Sequence, residues 1–231
     1  MSIANNLAKI KSALPPHVTL VAVSKTKPVT DLMEAYNAGQ RIFGENKIQE
    51  MTEKWQQMPK DIQWHMIGHV QSNKVKYMIP YVSLIHGVDS LKLLIEINRL
   101  AAKWRKKVDC LLQIHIAEEE TKFGLDENEL EEMLKQVQHD KDQFVNIKIV
   151  GLMGMATFTD DQTQIKREFL HLKAIFDKHS QMKTDNCHLT TLSMGMSGDY
   201  QLAIECGSNM IRIGSSIFGD RSSLTPEGGI E

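Results

Sequence analysis

The stretch LVAVSKT, residues Leu20–Thr26, is an apolar, valine-rich run that ends on a lysine and a threonine. A short run of this kind is typical of a buried β-strand. Seven further runs recur along the chain at spacings too wide for hairpins: RIFGEN (Arg41–Asn46), WHMIGHV (Trp64–Val70), VSLIHGV (Val82–Val88), VDCLLQIHI (Val108–Ile116), IKIVGLMGMA (Ile147–Ala156), HLTTLSMGMS (His188–Ser197) and MIRIGSSIFG (Met210–Gly219). The sequence therefore predicts eight strands.

Segments with helical periodicity lie between the predicted strands. In KREFLHLKAIFDKH (Lys166–His179), apolar residues fall at three- and four-residue steps. Strands that alternate with helices indicate an α/β architecture, and eight such strands in 231 residues favour a single (β/α)8 TIM barrel over a doubly wound sheet. We expect one domain over residues 1–231, with a loose tail at 220–231. An extra N-terminal helix at 1–15 is expected to pack where a final helix would otherwise lie.

Composition argues against several classes of partner. The formal net charge of −2 is unfavourable for binding nucleic acid or an anionic membrane, and no apolar run approaches the length of a bilayer span. The first residues lack the apolar core of a signal peptide. The three cysteines are far apart and form no CxxC pair, which fits a reducing compartment. We therefore expect a cytoplasmic protein and, because no exposed apolar seam is evident, a monomer.

Two cations converge on one mouth of the predicted barrel. Side chains alternate along a strand, so Lys25 shares a face with Val21 and Val23, and Arg212 shares a face with Met210 on the last strand. The first and last strands are neighbours in a closed barrel, whose active site lies at the carboxyl ends of the strands. No acidic residue lies within either strand, and an uncompensated buried charge costs roughly several kcal/mol. The pattern indicates an anionic ligand.

Two loops rich in glycine and serine follow the last two strands. Gly195–Asp199 follows the seventh strand, and Gly214–Ser216 follows Arg212 in the eighth. Barrels commonly bind phosphate with these loops, through backbone N–H groups and small hydroxyls. A lysine, an arginine and a phosphate site at one mouth suggest pyridoxal phosphate (PLP) held as a Schiff base. Taken singly, the lysine also fits a solvated strand end, and the serines fit helix caps or turns.

Six blocks of the sequence resemble, in order, those of the pyridoxal phosphate homeostasis proteins. They are VAVSKT (Val21–Thr26), FGENKIQE (Phe43–Glu50), WHMIGHVQSNK (Trp64–Lys74), KFG (Lys122–Gly124), GLMGMA (Gly151–Ala156) and LSMGMSGDYQLAIECGSNMIRIGSSIFG (Leu192–Gly219). The resemblance covers nearly the whole chain, and its last block is long and specific. It implies a barrel similar to the N-terminal domain of alanine racemase, which is PLP fold type III.

The resemblance also implies roles for individual residues. Lys25 would form the Schiff base, and Arg212 would face the pyridine nitrogen. The other residues implied in cofactor binding are Ser193, Ser197, Gly214 and Ser215 at the phosphate, Asn46 near the ring, and His65 and Met194 in the wall. A guanidinium can only donate hydrogen bonds, so Arg212 would keep the ring nitrogen unprotonated and make the ring a weaker electron sink.

The function implied by the resemblance is a carrier that holds PLP, buffers the free aldehyde and supplies PLP-dependent apoenzymes, without catalytic residues of its own. One alternative is an enzyme of fold type III, such as an amino-acid racemase. Alanine racemase takes a second acid/base residue from another domain of its partner subunit, and the sequence shows no such second domain. Another alternative is an aldolase-type Schiff-base lyase, in which the arginine would have no purpose.

A metal site is not expected. His65 and His69 have the four-residue spacing of a helical metal-ligand pair, but they fall within a predicted strand. No acidic or cysteine residue that could complete such a site lies nearby in the sequence.

Overall fold

The computed structural model describes residues 2–119 and 123–219, and within them eight parallel strands form a closed ring. Consecutive strands pair side by side, β6 pairs with β8, and β9 pairs with β1, which closes the barrel. A two-residue strand, β7, adds to β8 in the antiparallel sense. The strands are β1 (Thr19–Val23), β2 (Ile42–Glu45), β3 (Gln63–Met66), β4 (Val82–Val88), β5 (Val108–Gln113), β6 (Ile147–Met153), β7 (Lys183–Thr184), β8 (Cys187–Ser193) and β9 (Met210–Ile213). The predicted barrel is confirmed.

Helices cover the outside of this ring. They are α1 (Ile3–Ala13), α2 (Val29–Asn37), α3 (Ile48–Gln57), α4 (Val75–Met78), α5 (Leu91–Lys103), α6 (Glu127–His139), α7 (Gln162–Ser180), α8 (Tyr200–Glu205) and α9 (Ser215–Phe218), with a 3₁₀ turn at Ser72–Lys74. Local sequence fixes several helix starts: Asp126 forms a capping box with Glu129 at α6, and the Ser90 hydroxyl accepts the Leu93 N–H at α5. None of the described helices has the length and apolar character needed to cross a bilayer.

The extra N-terminal helix, α1, lies between the second helix and the last one. The Ala4 N–H donates to Glu34 Oε1 of α2 (3.0 Å), and the Asn6 side-chain amide donates to the Ile217 carbonyl of α9 (3.1 Å). Because α9 has only four residues, α1 covers the part of the barrel that a longer final helix would otherwise cover. The predicted loose tail at 220–231 lies outside the described residues, as does Lys122 of the KFG block.

The apolar core has two parts. The larger part lies between the strands and the helices. The smaller part fills the barrel interior with Val21, Leu84, Leu111, Met153 and Met210. The interior therefore has an apolar floor, and the polar residues at the carboxyl ends of the strands lie above it.

Several strands end earlier than the sequence predicts. The first ends at Val23 and not at Thr26, the seventh of the predicted set ends at Ser193 and not at Ser197, and the last ends at Ile213. The residues beyond these ends continue the apolar and glycine pattern but form loops, and Ser215–Phe218 is helical. These loops form the rim of the candidate site.

Candidate functional site

A cavity of about 770 Å³ opens at the carboxyl ends of the barrel strands. Six of the residues implied in cofactor binding line it: Lys25, Asn46, Ser197, Arg212, Gly214 and Ser215. They come from the ends of β1, β2, β8 and β9. The described residues therefore bring a lysine, an arginine and two serine–glycine loops together at one mouth.

Alternation along β1 directs Lys25 into this cavity, as the sequence predicts. Val21 packs in the barrel interior, Val23 and Lys25 line the cavity, and Leu20 and Ala22 pack in the outer core. Lys25 is half-buried. The lysine thus follows the inward face of the strand to the mouth of the barrel.

The residue before Lys25 is held by a buried charged network. The Ser24 hydroxyl donates to Glu45 Oε1 (2.6 Å), and the Lys54 ammonium donates to both the Ser24 carbonyl (2.8 Å) and Glu45 Oε1 (2.8 Å). Burial raises the pKa of Glu45, and the nearby Lys54 opposes the rise. Ser24 and Glu45 are both fully buried, so Lys54 of α3 ties the end of β1 to β2.

The residue after Lys25 is held by the same helix. Thr26 has a left-handed backbone conformation (φ 64°), which costs a non-glycine residue roughly 1–2 kcal/mol. Its N–H donates to Glu50 Oε1 (2.6 Å), and Lys54 donates to the same oxygen (2.7 Å). Contacts with α3 therefore fix the backbone on both sides of Lys25. The sequence alone did not indicate this network, although a glutamate within the apolar strand FGE is an unusual feature.

Arg212 is the second cation of the cavity, and the residue is only 4% exposed. Its Nη1 donates to the Ser193 hydroxyl (2.7 Å), and its Nη2 donates to the Gly154 carbonyl (3.0 Å). Burial lowers the pKa of Arg212 to about 10, while Asp199 acts in the opposite direction. The guanidinium is therefore charged at neutral pH, and both of these hydrogen-bond acceptors are neutral.

The loops after β8 and β9 meet beside Arg212. The Gly214 N–H donates to the Ser197 hydroxyl (3.3 Å), and the Arg212 N–H donates to the Gly195 carbonyl (3.0 Å). Gly195 has a positive φ of 97°, and a Cβ there would lie 2.6 Å from the Cβ of Ala203. Backbone N–H groups, small hydroxyls and nearby cations form a donor set that suits a phosphate.

Three residues implied in cofactor binding do not line the cavity. His65 lies inside the barrel and is 4% exposed, and burial lowers its pKa to about 3. Ser193 is fully buried and contacts Arg212. Met194 is fully buried in the outer core, while Met196, two residues further on, lines the cavity.

Sequence reasoning missed part of the cavity wall. The loop after β6 contributes Thr157, Thr159 and Phe158, a residue that is 93% exposed, and the turn after Lys25 contributes Lys27. Phe158 and both threonines follow the GLMGMA block directly, so their position next to this block was the sequence signal that could have indicated them. Among the described residues no cluster of histidine, cysteine, aspartate and glutamate could hold a metal ion.

Gly68 is expected to be indispensable for the position of Asn46. A Cβ at Gly68 would lie 2.4 Å from the Asn46 carbonyl oxygen and 2.8 Å from its Cα, so Gly68→Ala must displace this backbone. We expect a loss of about 1–3 kcal/mol in the free energy of unfolding, measured by urea denaturation. Gly198→Ala is the matched control, because no atom lies within 4 Å of a Cβ there. Equal stabilities of the two variants would contradict the close approach of Gly68 to Asn46.

Comparison with known proteins agrees with this geometry. The family described as "Alanine racemase, N-terminal domain" matches residues 1–222. The pyridoxal phosphate homeostasis protein of Pasteurella multocida (strain Pm70) is 38% identical over 234 aligned positions, which cover 96% of this chain and 98% of that protein. The protein of the same name from Synechocystis sp. is 40% identical over 216 positions, covering 93% and 96%.

Comparison with solved structures agrees with these sequence matches. PipY of Synechococcus elongatus PCC7942 with PLP bound has a TM-score of 0.84 at 35% identity, covering 94% of this chain and 100% of that chain. The same protein without PLP has a TM-score of 0.88 with the same identity and coverage. An alanine racemase from Clostridium difficile 630 has a TM-score of 0.74 at 15% identity, covering 96% of this chain and 58% of that chain, a likeness of fold alone.

Proposed function

Because this chain belongs to the pyridoxal phosphate homeostasis proteins, within the family of the alanine racemase N-terminal domain, we propose that it holds PLP as a Schiff base on Lys25. It serves PLP homeostasis by buffering the cofactor and supplying it to apoenzymes. One observation carries the proposal: a single cavity collects Lys25, Arg212 and the loops of Ser197 and Gly214. These three elements match an aldehyde, a pyridine nitrogen and a phosphate.

Different residues of the cavity would bind different groups of PLP. When bound, PLP supplies an aldehyde that condenses with an amine. Lys25 provides that amine on a backbone fixed by Ser24 and Thr26. The N–H groups and hydroxyls of the loops after β8 and β9 would orient the phosphate in the same cavity that Lys25 lines.

Arg212 favours holding the cofactor over catalysis. A guanidinium carries donors and no acceptor, so it keeps a pyridine nitrogen at its N–H groups unprotonated. An unprotonated pyridine withdraws electrons less strongly than a pyridinium. The pKa of Arg212, about 10, keeps this arrangement unchanged across neutral pH.

A racemase-type enzyme is the second candidate, and the shared fold favours it. Such an enzyme needs an acid/base group on the second face of the cofactor. Within the described residues, the cavity lining includes no histidine, tyrosine, cysteine or glutamate, and its other ionisable groups besides Lys25 and Arg212 are Lys27, Asp160 and Asp199. A racemase would have to use one of these three as its acid/base group, whereas a carrier needs none, and Arg212 favours the carrier.

A visible absorption titration with PLP tests the proposal. We expect a yellow protein whose absorption band saturates at one equivalent, and, after borohydride reduction, one modified peptide that contains Lys25. Amino acids added in deuterated water should exchange their α-hydrogen no faster than with free PLP. A protein that stays colourless with excess PLP would refute the carrier, and rapid α-exchange would favour the racemase.

Delivery to apoenzymes is tested with an apo-aminotransferase in the presence of a trap for free PLP. We expect the loaded protein to reactivate the aminotransferase under conditions in which the same amount of free PLP is lost to the trap. Loss of the loaded cofactor to the trap as well would limit the function to storage.

We propose that the protein acts as a monomer in the cytoplasm. Light scattering tests the oligomeric state, and cell fractionation tests the compartment. The three cysteines are all buried and form no disulfide, which fits that compartment.

A further inference from the structure

A row of hydrogen-bonded polar side chains crosses the barrel interior beneath the cavity. Arg212 Nη1 lies 2.7 Å from Ser193 Oγ, Ser193 Oγ lies 3.2 Å from His86 Nδ1, and His86 Nε2 lies 3.1 Å from His65 Nδ1. All four residues are at most 4% exposed. They come from β9, β8, β4 and β3, so the row spans the barrel from one wall to the other.

The chemistry of these groups favours one direction along the row. Arg212 can only donate, so the Ser193 oxygen accepts from it. Among the described residues the Ser193 hydroxyl contacts Arg212 and His86, so its hydrogen is satisfied when it is donated to His86 Nδ1, which places the His86 ring hydrogen on Nε2. This Nε2–H donates to His65 Nδ1, so His65 also carries its hydrogen on Nε2. Each donor therefore points away from the cavity.

The surroundings keep both imidazoles neutral. Burial lowers the pKa of His86 well below its ordinary value, because a second charge would be unfavourable beside His65 and the Arg212 cation as well as in the apolar interior. Burial alone lowers the pKa of His65 to about 3. A neutral imidazole has one donor and one acceptor nitrogen, and the row needs this combination at His86.

We propose that Ser193, His86 and His65 form a one-directional relay of hydrogen bonds that positions the Arg212 guanidinium for the cofactor ring. This inference rests on the proposed function. The relay stabilises a buried cation with oriented neutral groups. A carboxylate in the same place would neutralise the guanidinium, whereas the relay leaves its full charge facing the ligand. The three residues are positioning residues, because they act through Arg212.

The relay also denies the cofactor a proton from the barrel interior. Every hydrogen in the row is donated toward His65, so moving a proton toward the cavity would require reversal of all three hydrogen bonds and deprotonation of Arg212. The ring nitrogen therefore meets a fixed donor and no proton source from this side.

The direction of the relay is tested on the protein without cofactor. Two-bond ¹⁵N–¹H spectra of histidine-labelled protein should show His65 and His86 as neutral Nε2–H tautomers from pH 8 to pH 5.5. An imidazolium, or an Nδ1–H tautomer, at either residue would overturn the assignment. This measurement is independent of PLP, so it is not affected by failure of the proposed function.

The positioning role is tested with a matched pair of variants. His86→Leu removes the acceptor for Ser193, and we expect the apparent dissociation constant for PLP to rise about tenfold, the scale of a lost hydrogen bond linked to a charged group, with a shifted absorption maximum. His86→Asn retains an acceptor oxygen and should recover most of both properties. His17→Asn, on the exposed surface, is the control for a histidine substitution as such.

The outcomes separate the relay from simple packing. A folded His86→Leu variant with the affinity and spectrum of the wild type would overturn the relay, as would equal losses in the leucine and asparagine variants. If neither variant folds, the tautomers of the wild-type protein decide. Failure of the wild type itself to bind PLP would refute the proposed function and, with it, the positioning role.

Discussion

Replacing Lys25 by alanine is expected to abolish the borohydride-stable adduct with PLP completely. The Lys25 amine, just beyond β1, is the group that we propose for the aldehyde, and its backbone is fixed by contacts with α3. The loops of Ser197 and Gly214 are unchanged in this variant, so weaker non-covalent binding should remain. Mass mapping after reduction measures the first effect, and equilibrium dialysis measures the second.

Lys27→Ala is the matched control for this experiment. Lys27 lines the same cavity two residues further along the chain, but its loss leaves the proposed attachment site intact. We expect the wild-type adduct in this variant. Adduct formation in Lys25→Ala together with its loss in Lys27→Ala would show that Lys27, and not Lys25, is the attachment site.

Lys54→Met should cause the largest loss of stability of any single change in the network around Lys25. It leaves the carboxylate of Glu45 fully buried without its cation, a change that costs about 3–5 kcal/mol. Urea denaturation at pH 7 measures the loss. The double variant Lys54→Met with Glu45→Gln removes the unpaired charge and should recover much of the stability. Lys135→Met is the surface control, because the Lys135 side chain is 74% exposed and lies 3.7 Å from Glu131; it should change stability by about 0.5 kcal/mol or less.

The defect in Lys54→Met should also depend on pH. Burial raises the pKa of Glu45 above its ordinary value of 4.5, so between these two pKa values the folded protein binds more protons than the unfolded chain. Stability therefore falls as the pH rises through this window, and loss of Lys54 extends the window upward. The difference between Lys54→Met and the wild type should shrink as the pH is lowered toward 4.5. A difference that is constant from pH 7 to pH 4.5 would show that Glu45 is not the cause.

Patterns with a period of two residues were sufficient to predict the centre of the site. Alternation placed Lys25 and Arg212 on the inward face, because a strand imposes this geometry wherever it lies in the fold. The same rule explains a failure at the wall. Ser193 points inward, so its neighbour Met194 points to the outer core, and the loop that follows turns Met196 into the cavity.

Contacts between distant segments were not predictable from the sequence. His69 lies four residues after His65 in the sequence, but the His65 ring contacts His86. These two histidines lie on β3 and β4, which are adjacent in the barrel but separated in the sequence by a helix and its loops. The network of Lys54 with Ser24 and Glu45 likewise joins three elements whose packing has no local signal. Strand ends were overextended for a related reason: apolar residues and glycines that line a cavity look like a continued strand.

Closure of the barrel by β1 and β9 has a consequence for how the protein matures. Thr19–Ala22 of the first strand pair with Met210–Ile213 of the last, so Lys25 and Arg212 become neighbours only when the two ends of the fold join. Pairings between such distant segments form slowly. A chain leaves the ribosome with its N-terminus first, so Lys25 is present without Arg212 until β9 has been released. PLP should therefore bind only the finished barrel and stabilise it by mass action. Binding of the cofactor would therefore report that the barrel has closed.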